Sequence, residues 1–405
     1  MRILLVSQLF YPEQFKCNEL AAELVRRGHD VTVLTGIPNY PKGRFYPGYG
    51  LFRKRTEVWK GVKIHRAILI PRGKAKGFEL ALNYFSFALS ASLKALVWAK
   101  TKRFDLVFVH EISPITVGIP AVIVKRLQKI PMIFWVLDLW PESMTAAGGV
   151  TNPAIINSFT KLTKWLYKNS DKILMSSKDF RQSILEKGDF AEKLHYFPNW
   201  ADEILQNSTY SGLPSFPSGF IVMFAGNIGK SQDFEHIMQA ALILKEEQDI
   251  HFAIVGDGRR RAWVESFIRD NRLSNVHCMG RHPLSAMGSF FAKADVLLVS
   301  LKDSPIFALT EPTKISAYMY AGKPIITMMN GAGPRLINEA RCGFSVPAGD
   351  AQGLADTIKK ASRMNKQQLE ELGRNGRLYC ENHFNFKKLM DGLCDMLNEC
   401  TGKKQ

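Results

Sequence analysis

The sequence predicts an α/β protein with two doubly wound domains that face a cleft, and three observations support this. A chain of 405 residues is too long for one ordinary core, so two domains are expected. Apolar runs typical of buried strands alternate with helical stretches, which implies parallel sheets with right-handed crossovers. The alternation pauses once, in a segment rich in Pro, Ser, Gly and Asn at residues 195–219.

In the first half, strands and helices alternate without a break, and residues 1–200 are predicted to form the N-terminal domain. Helices are expected near residues 18–28, 78–100, 115–127 and 153–169. The predicted strands are RILLVS (2–7), DVTVLT (30–35), VKIHR (62–66), DLVFVH (105–110), PMIFWVLD (131–138) and KILMSS (172–177).

The second half repeats the pattern after a predicted linker at residues 201–219. We expect a C-terminal domain at 220–380 and a last helix within 381–405 that packs back on the N-terminal domain. The predicted strands are FIVMFAG (220–226), HFAIVGD (251–257), VHCMG (276–280), ADVLLVS (294–300), PIITM (324–328) and GFSVP (343–347). Ligands bind beyond the carboxyl ends of strands in such sheets, which here means the cleft.

The composition favours a globular, cytoplasmic protein. The apolar fraction is 46% and the charged fraction 22%, as in ordinary globular proteins. The start, MRILLVSQLFYP, is too short for a secretory core and lacks a small-residue cleavage site, so we interpret it as a strand. Six scattered cysteines without C-x-x-C spacing favour reduced thiols over a zinc site or a disulfide framework.

The positive charge is concentrated in the first half of the chain. Residues 1–200 contain 30 Lys and Arg against 15 Asp and Glu, a net charge of +15, whereas residues 201–405 carry 24 against 22, a net +2. Such asymmetry implies one basic face with a polyanionic neighbour, either nucleic acid or an anionic membrane.

The local pattern within residues 51–103 favours the membrane. Nine Lys and Arg against the single acid Glu57 fill residues 51–78, and the apolar segment 78–100 and the basic KTKR (100–103) follow. A basic loop beside an apolar helix suits attachment to an anionic membrane surface, but a core helix with a solvated basic loop explains the pattern equally well. Nucleic acid is not expected, since no helix-turn-helix, zinc-finger or RNA-recognition signature is present.

Three turns at predicted strand ends suggest a phosphate-bearing ligand. In AGNIGKSQDFEHI (225–237), Gly226 and Gly229 would let the backbone approach a diphosphate, and Lys230 would enter at the helix start. VGDG (255–258) supplies a second glycine turn, with Gly256, Asp257 and Gly258. In TEPTKISAYMYAGKPIITM (310–328), a helix N-terminus at Pro312 coincides with Glu311 and Lys314. Each turn alone is better explained as ordinary structure, and only their recurrence on one sheet favours a ligand.

These motifs, taken in order, resemble the glycosyltransferase family 4 pattern over nearly the whole chain. The family has the GT-B fold, in which two Rossmann-like domains face a cleft. The resemblance implies that the N-terminal domain binds the acceptor and the C-terminal domain a nucleotide-sugar, with retention of anomeric configuration and without metal or other cofactor. VLDLWPES (136–143) and residues 11–31 are similar to a subgroup of bacterial O-antigen and capsule transferases, some of which move N-acetyl-fucosamine.

Several side chains depart from the family pattern. The paired glutamates of the family correspond to Leu309 and Ala317, so Glu311 is the candidate for the ribose-binding carboxylate. The diphosphate-binding Arg and Lys correspond to Asn227 and Gln232, which leaves Lys230 and Lys314 as the candidate cations.

Two residues of the N-terminal domain are candidate catalytic groups. Where many members have His-Asp, this chain has Leu137-Asp138, and Asp138 is expected to orient or deprotonate the acceptor hydroxyl. His110 ends a predicted strand and is expected to face the acceptor, although it could equally be a core histidine.

The resemblance implies a retaining transferase that moves a sugar from a nucleotide-diphosphate sugar, expected to be UDP-linked. The acceptor would be a lipid-linked or other glycan in surface polysaccharide synthesis, at the inner face of the plasma membrane. A UDP-sugar 2-epimerase and an inactive partner that binds glycan or membrane remain the alternatives.

Overall fold

The computed structural model describes residues 1–74, 76–201 and 210–402, and the chain divides into two compact units. Unit 1 comprises Met1–Pro198 and Met390–Gln405, and unit 2 comprises Asn199–Leu389. Residues 202–209 of the predicted linker lie outside the described residues, and residues 210–219 contain neither helix nor strand.

Unit 1 is built around an eight-stranded sheet, with helices in the connections. Its strands are β1 (Arg2–Val6), β2 (Asp30–Gly36), β3 (Thr56–Trp59), β4 (Val62–Ala67), β5 (Leu106–Glu111), β6 (Met132–Val136), β7 (Lys172–Met175) and β8 (Leu194–Tyr196). Its helices are α1 (Lys16–Arg26), α2 (Gly77–Thr101), α3 (Gly118–Gln128), α4 (Glu142–Gly148), α5 (Pro153–Asn169) and α6 (Phe180–Glu186).

The strand order in unit 1 is β3-β4-β2-β1-β5-β6-β7-β8, and all neighbours are parallel except β3 and β4. The sequence analysis missed β8 and placed β3 in a solvated basic loop, which is wrong. Trp59 pairs with Val62 across the two-residue turn Lys60-Gly61, and both turn residues have positive φ, as in a type I′ hairpin. The buried Arg66 of β4 forms an ion pair with Glu57, so part of the basic segment is structural.

Unit 2 contains a six-stranded parallel sheet in the order β11-β10-β9-β12-β13-β14. Its strands are β9 (Phe220–Asn227), β10 (Ile250–Asp257), β11 (Val276–Gly280), β12 (Val296–Ser300), β13 (Ile325–Met328) and β14 (Gly343–Val346). The helices are α7 (Phe234–Ile243), α8 (Arg261–Asp270), α9 (Met287–Lys293), α10 (Pro305–Leu309), α11 (Thr313–Tyr320), α12 (Ala332–Ala340), α13 (Ala351–Ser362) and α14 (Lys366–His383). A last helix, α15 (Phe386–Thr401), begins in unit 2, and its residues from Met390 onward belong to unit 1.

Every strand predicted from the sequence is present, with ends shifted by at most two residues, so the doubly wound α/β prediction is confirmed. One helix start is corrected. Lys230 does not begin a helix, because Lys230–Gln232 form a 3₁₀ turn and Asp233 then adopts a φ of 47° before α7 starts at Phe234. The last helix, α15, enters unit 1 at Met390, where Arg27 bonds Asp391 at 2.7 Å.

The two central strands of the unit 2 sheet separate toward their carboxyl ends. β9 and β12 pair only through Val222 and Met223, so the later part of β9 lacks a strand on that side. The buried hydroxyl of Tyr318 fills the gap, since it accepts from the Ala225 amide at 3.0 Å and donates to the Ala225 carbonyl at 3.2 Å. Helix α11 is thereby joined to the sheet at its switch point, where such folds bind ligands.

Helix α2 is the one helix within the described residues that is long and apolar enough to cross a membrane by length and composition. Only 28% of its most apolar window is buried. One face belongs to the unit 1 core, with Phe87, Ala91 and Ala95 fully buried, and the other face is exposed.

Replacing Tyr318 by Phe should destabilise unit 2 by roughly 1–3 kcal/mol, because the buried amide and carbonyl of Ala225 would lose their partner. Denaturant unfolding measures this change. Tyr46→Phe is the control, since the Tyr46 hydroxyl bonds the Tyr40 carbonyl at the surface and its loss should cost under about 0.5 kcal/mol. Equal stability of the Tyr318→Phe variant and the wild type would contradict the role of this hydroxyl.

Candidate functional site

Lys314, in the first turn of α11, is the central charged residue at the carboxyl edge of the unit 2 sheet. Its ammonium donates to the Gln232 side-chain oxygen at 2.5 Å and lies 3.8 Å from the centre of the Phe224 ring. Among the described residues, no carboxylate lies within ion-pair distance of it. Burial lowers the pKa of Lys314 to about 7. Lys314 is partly exposed, so an anionic ligand can reach the ammonium and offset the cost of a charge without a counter-ion.

Gln232 occupies the position where the resemblance leads one to expect a cation. Its backbone carbonyl accepts from the Ser300 hydroxyl at 2.5 Å, and the carbonyl of Ser231 accepts from the Lys302 amide at 2.9 Å. The 3₁₀ turn is therefore held against the end of β12. Gln232 carries no charge but accepts a hydrogen bond from Lys314, a residue 82 positions later in the chain. Lys314 thus supplies the positive charge expected at this position.

The two glycines at the strand ends are required by the protein itself. A Cβ on Gly226 would lie 2.7 Å from Cε of Lys314, so this glycine makes room for the lysine. A Cβ on Gly256 would lie 1.8 Å from the carbonyl oxygen of Gly226. Both have strongly positive φ, 139° and 149°. Gly256 was expected to make room for a ligand. In the structure it makes room for close contact between the ends of β9 and β10.

The loops that follow β9 and β10 bond to each other. The amide of Ile228 donates to the Asp257 carbonyl at 2.9 Å, and that of Gly229 donates to the Asn227 carbonyl at 3.0 Å. The Asp257 carboxylate is exposed and accepts from the Gly258 amide at 2.8 Å. Because the amides of Ile228 and Gly229 are engaged, the expected cradle of amides from Gly226 to Gly229 is not available in full. The exposed side chain of Asn227 can still meet a ligand.

Lys230 and Glu311 lie in different settings. Lys230 is exposed, and its ammonium forms no ion pair with any residue that the structure describes. The carboxylate of Glu311 is only 5% exposed and lies 3.2 Å from the guanidinium of Arg335. Lys230 can reach a ligand, whereas a ribose contact by Glu311 would compete with this ion pair.

In unit 1, His110 is packed inside the core. Its Nδ1 lies 2.9 Å from the Ser7 hydroxyl, its ring meets Trp135 edge-on, and its Nε2 is buried without a partner in the described residues. The residue is 1% exposed, and burial lowers its pKa to about 3, so the ring is neutral at physiological pH. The geometry does not support the expectation that His110 faces an acceptor.

Asp138 follows β6 and is partly exposed, so a ligand can reach it. Burial raises its pKa to about 7, against which a hydrogen bond from Ser113 acts. A second carboxyl, that of Glu111, lies beside it: Oε2 of Glu111 is 3.4 Å from the Asp138 amide. Glu111 is fully buried, and burial together with the charge of Asp138 raises its pKa well above the usual range. Asp138 is thus placed to exchange a proton near neutral pH.

The sequence analysis missed Glu111, although a signal was present. Glu111 is the residue directly after His110, and the predicted strand ended one residue too early.

Glu142, in the segment 136–143, has a structural role. Its Oε1 accepts hydrogen bonds from Ser183 at 2.7 Å and from the buried Lys187 at 2.5 Å.

Two family models match the two parts of the chain. Residues 16–200 match the glycosyl transferase 4-like domain, and residues 219–363 match the glycosyl transferases group 1 domain. The chain is a glycosyltransferase. The two matched segments fall on the predicted acceptor and donor domains.

Relatives of this glycosyltransferase include two bacterial proteins. "Probable glycosyltransferase WbjE" of Pseudomonas aeruginosa is 25% identical over 328 residues, 79% of each chain. "Amylovoran biosynthesis glycosyltransferase AmsK" of Erwinia amylovora is 22% identical over 377 residues, 87% of this chain and 88% of AmsK. The solved structure of Anabaena Alr3699/HepE in complex with UDP superposes with a TM-score of 0.71 at 13% identity, covering 98% of this chain and all of HepE. The predicted GT-B fold is confirmed.

The Asp138→Asn variant of the transferase should gain stability over the wild type as the pH rises from about 4 to about 8. A pKa raised to about 7 keeps native Asp138 protonated where the unfolded chain is ionised, so wild-type stability falls with pH over that range. The difference in the free energy of unfolding should grow by about 2 kcal/mol, which is roughly half of what the full pKa change corresponds to, because the side chain is partly exposed. Unfolding in denaturant at several pH values, followed by tryptophan fluorescence, measures it. A difference that does not change with pH would show an ordinary carboxyl.

Proposed function

We propose that this protein is a retaining glycosyltransferase that moves a sugar from a UDP-sugar to a lipid-linked glycan acceptor in surface polysaccharide synthesis. Unit 2 binds the donor and unit 1 the acceptor. The protein works as a peripheral enzyme at the inner face of the plasma membrane.

The observation that carries this proposal is the partly buried Lys314, which has no carboxylate partner among the residues that the structure describes. An ammonium that lies at the carboxyl edge of the sheet, beside the N-terminus of α11, forms a site for an anion of high charge. Within the described part of the chain no side chain caps that N-terminus. The Ile315 amide donates to the Pro312 carbonyl at 2.9 Å, and the two amides before it are the candidate donors for a phosphate. A nucleoside diphosphate supplies the required charge, and the solved complex of HepE with UDP, which shares this fold, supports that choice.

Lys314 and Lys230 would act on the leaving group. In the transfer, the bond between the anomeric carbon and the β-phosphate oxygen breaks, and its electron pair stays on the diphosphate. Lysines and helix amides that are already in place stabilise this charge without reorganisation and without a metal ion. Retention follows if the acceptor oxygen attacks the face from which the diphosphate departs.

Asp138 would take the proton of the acceptor hydroxyl as the new bond to the anomeric carbon forms. A pKa near 7 is suited to this role, because half of the carboxyl is ionised at neutral pH and its conjugate acid is strong enough to release the proton again. Glu111 lies behind it and fixes the start of the loop through the Asp138 amide.

A relative guides the choice of pathway, and the sequence resemblance alone guides the choice of sugar. The name of AmsK assigns that protein to amylovoran biosynthesis, which supports a role of the present chain in polysaccharide synthesis. Residues 136–143 and 11–31 are similar to a subgroup of O-antigen and capsule transferases, some of which move N-acetyl-fucosamine. UDP-N-acetyl-fucosamine is therefore the first donor to compare with UDP-glucose.

Thermal stabilisation by nucleotides tests the donor site. UDP should raise the melting temperature without added metal, and more than GDP, TDP, ADP or CMP. Lys314→Met should weaken UDP binding roughly 10- to 100-fold, since a hydrogen bond to a charged group is lost. The same variant should melt at the wild-type temperature or above it without ligand, because a partly buried amine without a counter-charge has been removed. UDP binding to the wild type should also weaken above pH 7, where Lys314 loses its proton.

Asp138→Asn is the matched control, because it lies in unit 1 and should keep the full response to UDP. Lys230→Ala should weaken UDP binding only a few-fold, since the residue is exposed. If none of the diphosphates raises the melting temperature, either with or without anionic lipid, the proposal is overturned and an inactive partner protein is favoured.

A further inference from the structure

The exposed face of α2 is an unusually continuous apolar surface. Six large apolar side chains recur every three or four residues, on average 3.6 apart, and are 37–76% exposed. These residues, named the α2 stripe, are Phe78, Leu82, Phe85, Leu89, Leu93 and Leu96. At 1.5 Å per residue, the stripe is about 27 Å long. Soluble proteins rarely leave a patch of this extent in water without a partner.

The opposite face of α2 fixes the helix to unit 1. Asn83 is fully buried, accepts from the Gln8 side chain at 2.7 Å and donates to the Ile70 carbonyl at 2.6 Å. Phe87 and Ala91 are fully buried in the core. A helix that crossed a bilayer would lose these contacts, so α2 can meet a membrane only with its outer face and parallel to the surface.

Cations flank the α2 stripe at both ends. Lys74 and Lys76 precede the helix, Lys100 and Arg103 lie at its end, and all four are exposed. Between residues 74 and 103 there are six Lys and Arg and one acid, Glu79. This charge complements a surface of anionic headgroups, whereas a second copy of the same basic face would be repelled.

Further apolar side chains lie beside the helix. Ile68 and Ile70 are 44% and 46% exposed, and they run along α2 because the Ser90 hydroxyl donates to the Ile68 carbonyl and the Ile70 amide donates to Ser86 at 2.9 Å. They widen the apolar surface next to the stripe.

We propose that unit 1 docks on an anionic phospholipid bilayer through the α2 stripe, with the helix lying flat at the headgroup boundary and its terminal cations on the phosphates. Docking would bring unit 1 to a lipid-linked acceptor, and in that respect it rests on the proposed function. The docking itself needs neither donor nor acceptor and can be measured without them.

Vesicle flotation at low salt tests this surface with the full-length protein. The wild type should float with vesicles of phosphatidylcholine and phosphatidylglycerol, bind much less to phosphatidylcholine alone, and be released by salt. The double variant Leu89→Asp, Leu93→Asp should bind anionic vesicles at least about tenfold more weakly. Its melting temperature should not fall, since both leucines are exposed.

Leu378→Asp is the matched control, because Leu378 is a leucine of α14 that is 60% exposed. It should float like the wild type. Equal binding to neutral and anionic vesicles, or equal binding of the double variant and the wild type, would overturn the proposal. So would a lipid-free dimer that the double variant dissociates, since a second copy would then cover the stripe. Failure of UDP to bind would leave the flotation result unaffected.

Discussion

The separation of β9 from β12 is the constraint on which the carboxyl edge of the unit 2 sheet depends. Backbone amides and carbonyls that point away from β10 need a partner on the other side of β9, and β12 supplies none at Ala225. The Tyr318 hydroxyl meets both groups at once. Lys314 lies at the same sheet edge and donates to Gln232 of the 3₁₀ turn. Helix α11 therefore supplies both the hydroxyl that bonds Ala225 and the charged residue.

Lys314 places a positive charge beside the position where the family pattern has a lysine. The position that corresponds to the family lysine is Gln232, which carries no charge, but its side-chain oxygen holds the ammonium of a residue from α11. Gly226 favours this position of Lys314, because a Cβ there would lie 2.7 Å from Cε of the lysine. Gly226 and Gly256 therefore leave space for neighbouring protein groups, namely Lys314 and the end of β9.

In unit 1, neighbouring side chains differ in whether they serve the core or remain accessible to solvent. At the ends of β5 and β6, burial makes His110 a neutral core residue and leaves Asp138 as the accessible carboxyl, with Glu111 behind it. Helix α2 divides its surface likewise, since one face supplies the core and the other remains apolar in contact with water. A fold that only needed a core helix would place polar residues on that outer face.

Much of the fold was determined by the sequence itself. Helix α5 has the predicted bounds, since Pro153 suits the first turn and the Asn152 side chain caps it. The strands followed from apolar runs, because burial of such runs is a local signal. The tertiary structure alone decided that β3 pairs antiparallel with β4 and that Arg66 is neutralised by Glu57. It also decided that Lys314 meets Gln232. Lys314 and Gln232 are 82 positions apart in the chain, so no local pattern can bring them together. The β3–β4 hairpin and its Glu57–Arg66 ion pair are local, but they depend on side-chain packing that the apolar pattern does not record.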